Sequence, residues 1–335
     1  MTRRERVIAA LNHQETDFVP YFLEFTEQER KKVCDHVRDE NIEAKWGLHL
    51  HYNQYWGWPT ESGDRPGFFK DEFGVVWDRS GVDKDIGVVS NPVISDLDDF
   101  EFTFPEVNEK RLRKEYEKLV ATKEDKFTFA GIGFIMYERL WSLCGMEPAL
   151  MGMIASPDGI HYLMEQSCKH HEKVLDIALE YDIDGVYFGD DWGQQKGMIM
   201  GPAHWRTYIK PQMKKLFGKV KSKGKFVIHH SCGDISEILG DMIEIGCDCY
   251  QTVQPEIYDL KWLKETYGKD LSFWGAISTQ QLLANAAPEK VREETKRILG
   301  LMGKGGGYIA APTHAVPYDV PSENILAMVD VFMNQ

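Results

Sequence analysis

Residues 225–235 read KFVIHHSCGDI. Phe226–His230 has the apolar density of a buried strand, and Gly233-Asp234 then breaks it and caps a helix beginning near Ile235. A strand that passes directly into a helix is the repeating unit of an α/β fold with a parallel sheet. The same unit recurs on both sides. Upstream, Phe127–Phe134 leads into helical sequence from about Glu138 to Tyr181, and Gly185–Gly189 (GVYFG) into a helix over roughly 202–223. Downstream, Cys247–Val253 precedes a helix at 258–267 and Leu271–Ala276 one at 287–302. Tyr308–Ala311 precedes a closing helix with Pro321 in its first turn. Asp17–Phe25 (DFVPYFLEF) suits a first strand after a short amphipathic helix at 3–12, and one more strand is expected within 70–100.

These make about eight strands, which predicts a (β/α)8 TIM barrel with an N-terminal helical and irregular extension. A doubly wound open sheet is the alternative. No G-x-G-x-x-G follows a strand and no G-x-x-x-x-G-K-[ST] occurs, which disfavours dinucleotide and P-loop functions. Residues 1–335 read as a single barrel domain. Within it, 26–100 is irregular and rich in aromatic residues (Tyr52, Tyr55, Trp56, Trp58, Phe68, Phe69), with a short strand pair near Gly74–Arg79. This stretch reads as a lid or an insertion.

The 335 residues, 43% apolar, suffice for a large core. A net charge of −14 opposes binding to nucleic acid or to anionic membrane surfaces, both of which need basic patches. Six scattered cysteines give no disulfide framework, and no apolar run approaches the roughly 18 residues of a membrane span. The apolar run in MTRRERVIAALNHQ is too short for a signal peptide, so the expected compartment is the cytoplasm.

In a barrel, chemistry sits where strands end at the carboxyl face. Side chains two apart on a strand point the same way, so His230 and Cys232 can converge on one point. Imidazole and thiolate are preferred zinc ligands, at about 2.0–2.3 Å; a buried cysteine beside a hydrogen-bonded histidine is the other reading. Pro312-Thr313-His314 follows the last strand, and His314 would complete three ligands, leaving one position open as catalytic zinc requires. Two imidazoles and one thiolate leave a site charge of about +1, a better Lewis acid than a thiolate-rich site. Asp190-Asp191 end another strand. Two adjacent carboxylates repel, so at least one needs a partner. Glu24, after the first strand, joins them as a candidate to orient substrate or supply a proton. Glu138-Arg139 and Cys247-Asp248-Cys249 read mainly as structural.

Several segments together resemble the uroporphyrinogen decarboxylase superfamily, and within it the zinc-dependent, corrinoid-linked methyltransferases. They are DEFGVVW (71–77), FGDDWGQQKGMIMGPAHWRTYIKPQMKKL (188–216), HHSCGDI (229–235), FWGAISTQQLL (273–283) and GGGYIAAPTHAVPYDVPSENI (305–325). The resemblance implies a barrel with its site at the carboxyl face, a zinc ion, and cobalamin carried on a separate protein. It is also compatible with a homodimer. That branch holds zinc with H-x-C, matched by His230 and Cys232, and with a cysteine near a C-terminal P-G-C. Here His314 stands in that region, so a cysteine is replaced by a histidine. Such a site could polarise an ether or amine, and the aromatic-rich first hundred residues suit a methoxyaromatic substrate undergoing O-demethylation. The true decarboxylases bind their polycarboxylated substrate with arginines in an early R-Q-A-G-R-Y segment, whereas after its first strand this chain has Phe22-Leu23-Glu24-Phe25 and from there no arginine until Arg30.

Three functions follow in order: a zinc-dependent methyltransferase acting between a small methylated substrate and a corrinoid protein, a cofactor-free lyase of decarboxylase type, and a non-catalytic metal- or corrinoid-binding module. The second predicts carboxylate-binding arginines at the barrel mouth, for which Arg139 and Arg206 are the candidates.

Overall fold

The computed structural model describes residues 1–62, 65–81 and 87–335. Its main sheet has seven parallel strands: β1 (Leu50–Tyr55), β2 (Phe127–Gly133), β3 (Gly185–Gly189), β4 (Phe226–His230), β5 (Cys249–Val253), β6 (Ser272–Ile277) and β7 (Tyr308–Pro312), paired in that sequential order. Helices lie between successive strands. All seven residues of β2 and all six of β6 are buried, as expected for strands covered on both faces. The helices between β2 and β3 (Tyr137–Cys144, Met146–Ala155, Pro157–Ala178) fill the stretch read as helical.

The architecture is α/β and barrel-like, but regular eight-stranded closure is not formed. The expected first strand, 17–25, makes only isolated bridges, Tyr21 to Ala310 and Phe25 to Val316. Its link towards β1 is a hydrogen bond from the His49 amide to the Tyr21 carbonyl at 3.2 Å. Pro20 has no N–H to give to a ladder, which limits regular pairing there. The strand at the other edge is Leu50–Tyr55, inside the region read as irregular. Its sequence, LHYNQY, hides the strand because Asn53 and Gln54 break the apolar pattern.

The rest of 26–100 is also more ordered than the sequence predicts. It holds a helix at Glu27–Val37, with Thr26 as N-cap accepting from the Glu29 amide, and a four-stranded antiparallel sheet. That sheet runs through Thr60–Glu61, Phe68–Lys70, Val76–Asp78 and Val88–Asn91, so the expected strand pair near 74–79 is its centre. Residues 63–64 and 82–86 of the expected lid lie outside the described residues.

Asp71 anchors this sheet to the helical layer. Its Oδ1 accepts from the amides of Phe73 (2.9 Å) and Val75 (3.0 Å), and its Oδ2 from Trp77 Nε1 (3.1 Å). Oδ2 also meets Arg139 Nη1 at 3.1 Å in an ion pair whose two side chains are almost wholly buried. Arg139 Nη2 donates to the Trp56 carbonyl at 2.9 Å, and the guanidinium lies 3.6 Å from the Phe73 ring centroid. Among the described residues, no helix is long and apolar enough to cross a membrane.

Candidate metal centre

At the end of β4 the two adjacent histidines part, as strand alternation requires. His229 turns into the helical layer and stacks on Trp192, with centroids 4.0 Å apart and planes at 20°. His230 turns inward. The ladder continues past the strand, since the Ser231 amide donates to the Gln251 carbonyl at 2.8 Å, and Cys232 therefore comes onto the same side as His230. Cys232 Sγ lies 3.6 Å from His230 Nε2.

The loop carrying Cys232 is fixed from several directions. The Cys232 amide donates to Asp191 Oδ1 (2.7 Å), the Gly233 amide to Gln254 Oε1 (2.8 Å), and Tyr258 Oη to the Gly233 carbonyl (2.9 Å). Gly233 has φ +77°, and a Cβ there would sit 2.1 Å from the Gly193 carbonyl carbon, so only glycine lets these two backbones meet. Thr313 sets the third element. Its amide donates to the Ile277 carbonyl (2.8 Å) and its hydroxyl meets that of Thr279 (2.9 Å), leaving His314 exposed at the mouth.

The ligand atoms of His230, Cys232 and His314 all lie within 4.8 Å of one another. Of the six cysteines, Cys232 alone is not fully buried. Cys247 and Cys249 sit inside the core, and burial pushes both thiols well up. Two ligands at about 2.05 and 2.3 Å in tetrahedral zinc geometry would be separated by about 3.5–3.6 Å, and the His230–Cys232 distance agrees with that edge.

The aspartates expected as a pair have different surroundings. Asp190 is fully buried and accepts from the amides of Met136 (3.2 Å), Tyr137 (2.9 Å) and Glu138 (2.9 Å) and from Trp192 Nε1 (2.5 Å). It thereby caps the helix at Tyr137–Cys144, whose preceding residue Met136 offers no side-chain cap. Burial pushes its carboxyl up to about 6 against those four bonds. Asp191 is part-exposed, and its Oδ1 lies 3.2 Å from His230 Nε2. Burial, the largest influence, would raise its carboxyl, but the hydrogen bond and charge of His230, the Cys232 amide and the His314 charge together hold it down. For His230, burial opposes the imidazolium, and the Cys232 and Asp191 charges more than reverse that.

Glu24 is exposed at the mouth and accepts a hydrogen bond from the Tyr52 hydroxyl. Tyr52 stacks on Phe129 (4.9 Å, 4°), and Tyr187 and Trp274 continue this aromatic wall. Tyr187 stands among Glu24, Tyr52, Cys232 and Asp191; burial first and these charges next raise its phenol well above the ordinary value. Of the aromatic cluster at 52–58, Tyr52 joins this wall, while Tyr55 packs on Trp58 and His170, and Trp56 on Trp77. Three neighbours were missed in the sequence. Glu138, read as structural, borders Asp191 and His230, and burial followed by the two aspartates pushes its carboxyl well up. Gln251 and Tyr187 belong to no recognisable motif.

The family model for uroporphyrinogen decarboxylase (URO-D) matches residues 80–334. The chain belongs to this family. Similar family members include a uroporphyrinogen decarboxylase of Thermus thermophilus, 29% identical over 171 residues, or 51% of this chain and 47% of that one. A methylated-thiol–coenzyme M methyltransferase of Methanosarcina mazei is 26% identical over 221 residues (65% and 54%). A methylcobamide:CoM methyltransferase of Methanosarcina barkeri is 28% identical over 131 residues (39% and 36%). The chain thus spans about half the length or less of these curated relatives. A solved methyltransferase from Methanosarcina mazei shares the fold over 100% of this chain and 99% of its own, with a TM-score of 0.74 at 18% identity.

Proposed function

We propose that the protein is a zinc-dependent methyltransferase moving a methyl group between a small methylated substrate and a separate corrinoid protein. The observation that carries this reading is the 3.6 Å approach of Cys232 Sγ to His230 Nε2 within a triad completed by His314. The kinship with methylcobamide and methylated-thiol methyltransferases supports the corrinoid partner. A methoxyaromatic substrate is favoured, because the half-buried Tyr52 and Tyr187, backed by the buried Phe129 and Trp274, give one side of the site an aromatic wall.

The two imidazoles and the thiolate would hold the ion, and the chemistry it supplies is Lewis acidity toward the substrate heteroatom. The residues around it divide the remaining work. Asp191 binds the Cys232 amide and borders His230, keeping two ligands in register. Asp190 holds the 136–138 backbone in place behind them. Glu24 and Tyr52 form a hydrogen-bonded pair at the mouth that orients the substrate. In O-demethylation the partner's reduced corrinoid would supply the electron pair for the methyl group it receives. The C–O pair stays on the departing oxygen, which takes one proton.

The decarboxylase-type reading requires cations for substrate carboxylates, and its two candidate arginines are occupied elsewhere. Arg139 is buried against Asp71, and Arg206 pairs with Asp241 at 2.8 Å on the outer helices. The deciding experiment supplies the zinc-loaded protein and a reduced corrinoid protein with methoxyarenes, methylamines and methyl thioethers. Methylation of the corrinoid by at least one class, abolished by chelation and restored by zinc, is expected. No transfer from any class, with turnover of a carboxylated substrate that chelators leave untouched, would contradict it.

A further inference from the structure

Gln251 lies beside His230 across the β4–β5 pair, in direct register. Its side chain is almost fully buried, and its Oε1 is shared by two donors: His230 Nδ1 and the Tyr187 hydroxyl at 3.0 Å. The Tyr187 ring also lies against the imidazole, with centroids 6.0 Å apart and planes at 32°. The main chain repeats the link, since the Ser231 amide donates to the Gln251 carbonyl at 2.8 Å.

We infer that Gln251 is the positioning residue that fixes the tautomer and ring orientation of His230, presenting Nε2 as a metal ligand and making it a weaker donor than a carboxylate at Nδ1 would. This rests on the zinc reading above. A neutral imidazole has one N–H, and the acceptor it meets decides which nitrogen carries it. An amide oxygen at Nδ1 keeps a proton there, so the proton a metal ion would displace is the one on Nε2, which faces Cys232 Sγ and Asp191 Oδ1. Metal-binding histidines commonly give this second N–H to a carboxylate, which raises the basicity of the ligand. Here the acceptor is uncharged, and Tyr187 draws further on the same oxygen. His230 therefore donates less charge to the ion, and the ion keeps more of its acidity for the substrate. The Gln251 side chain has no role in the decarboxylase-type or purely structural readings that would need this particular acceptor.

The test measures zinc affinity by chelator competition, and the absorption spectrum after cobalt(II) substitution, for the full chain and for Gln251→Leu, Gln251→Glu and Tyr187→Phe. Gln251→Leu should weaken zinc binding about 10–100-fold, the usual effect of losing such a support. Gln251→Glu, which keeps the shape but adds charge, should bind zinc at least as tightly as the wild type and shift the cobalt bands. Tyr187→Phe, which leaves Oε1 to His230 alone, should bind zinc at least as tightly as the wild type. A merely structural glutamine would not give opposite signs for the leucine and glutamate variants. Wild-type affinity and spectrum in both Gln251 variants would overturn the inference alone. If Gln251→Leu fails to fold, an unshifted cobalt spectrum in Gln251→Glu overturns it. Failure of the wild type to bind zinc would overturn the zinc reading, and this inference with it.

Discussion

His230 Nε2 is bordered on one side by Cys232 Sγ at 3.6 Å and on another by Asp191 Oδ1 at 3.2 Å, so one imidazole nitrogen faces both a thiol and a carboxylate. The thiol belongs to the one cysteine of six that is not fully buried. This predicts a simple consequence of metal removal. In zinc-loaded protein no thiol should react quickly with iodoacetamide, and chelation should expose one, which peptide mapping places at Cys232. Rapid labelling of Cys232 that zinc does not slow would contradict its role as a ligand.

The adjacent aspartates should separate by mutation. Asp190→Ala removes the acceptor of three backbone amides and an indole, and hydrogen bonds to a charged group are worth about 1.5–3 kcal/mol each. It should lower stability by about 3 kcal/mol or more, while protein that remains folded still binds zinc. Asp191→Ala should change stability by much less and weaken zinc binding. Denaturant titration and chelator competition on both variants check this.

Asp71→Ala leaves Arg139 as an uncompensated buried charge, which costs about 3–5 kcal/mol. Adding Arg139→Met to that variant should recover part of the loss. Equal denaturation midpoints for the single and double variants would argue that the pair does not clamp the 60–91 sheet to the helix at Tyr137–Cys144.

Glu29 gives a pH signature away from the metal centre. Its carboxylate is fully buried, and its charge partner is Lys32 Nζ at 2.6 Å, which also donates to the carbonyls of Tyr318 and Val320. Burial raises its carboxyl from 4.5 to about 7, with Lys32 opposing the rise. The folded state therefore holds the proton more tightly than the unfolded state. That contribution is complete below about pH 4.5 and is lost as the pH climbs through about 7. Glu29→Gln removes the dependence, so thermal melts should show it raising Tm by about 2–4 °C relative to wild type at pH 8, and by less at pH 5. An equal shift at both pH values would contradict the assignment.

The strand ends were legible because they carry two signals at once: an apolar run that stops at a glycine, and ligand-type residues placed just beyond it. His230, Cys232 and His314 were found that way, and the structure brings them together. Leu50–Tyr55 was not legible, because it forms an edge of the sheet from polar and aromatic residues without clean alternation. The segment 17–25 misled for the opposite reason, since its apolar residues bury themselves in the core without regular pairing around Pro20. Gln251 and Tyr187 had no signal at all. Their importance comes from register across three neighbouring strands, and spacing along one strand does not reveal it. Asp190 and Asp191 read alike in the sequence, and only their partners tell them apart.

The most direct measurement is zinc per chain, by elemental analysis, on protein purified without added metal, beside His314→Ala prepared in the same way. The account predicts about one zinc in the wild type and its loss in the variant, by more than the roughly 10–100-fold weakening expected for a supporting residue. No zinc in the wild type, even after reconstitution under reducing conditions, would contradict it and leave His230 and Cys232 as parts of the barrel wall.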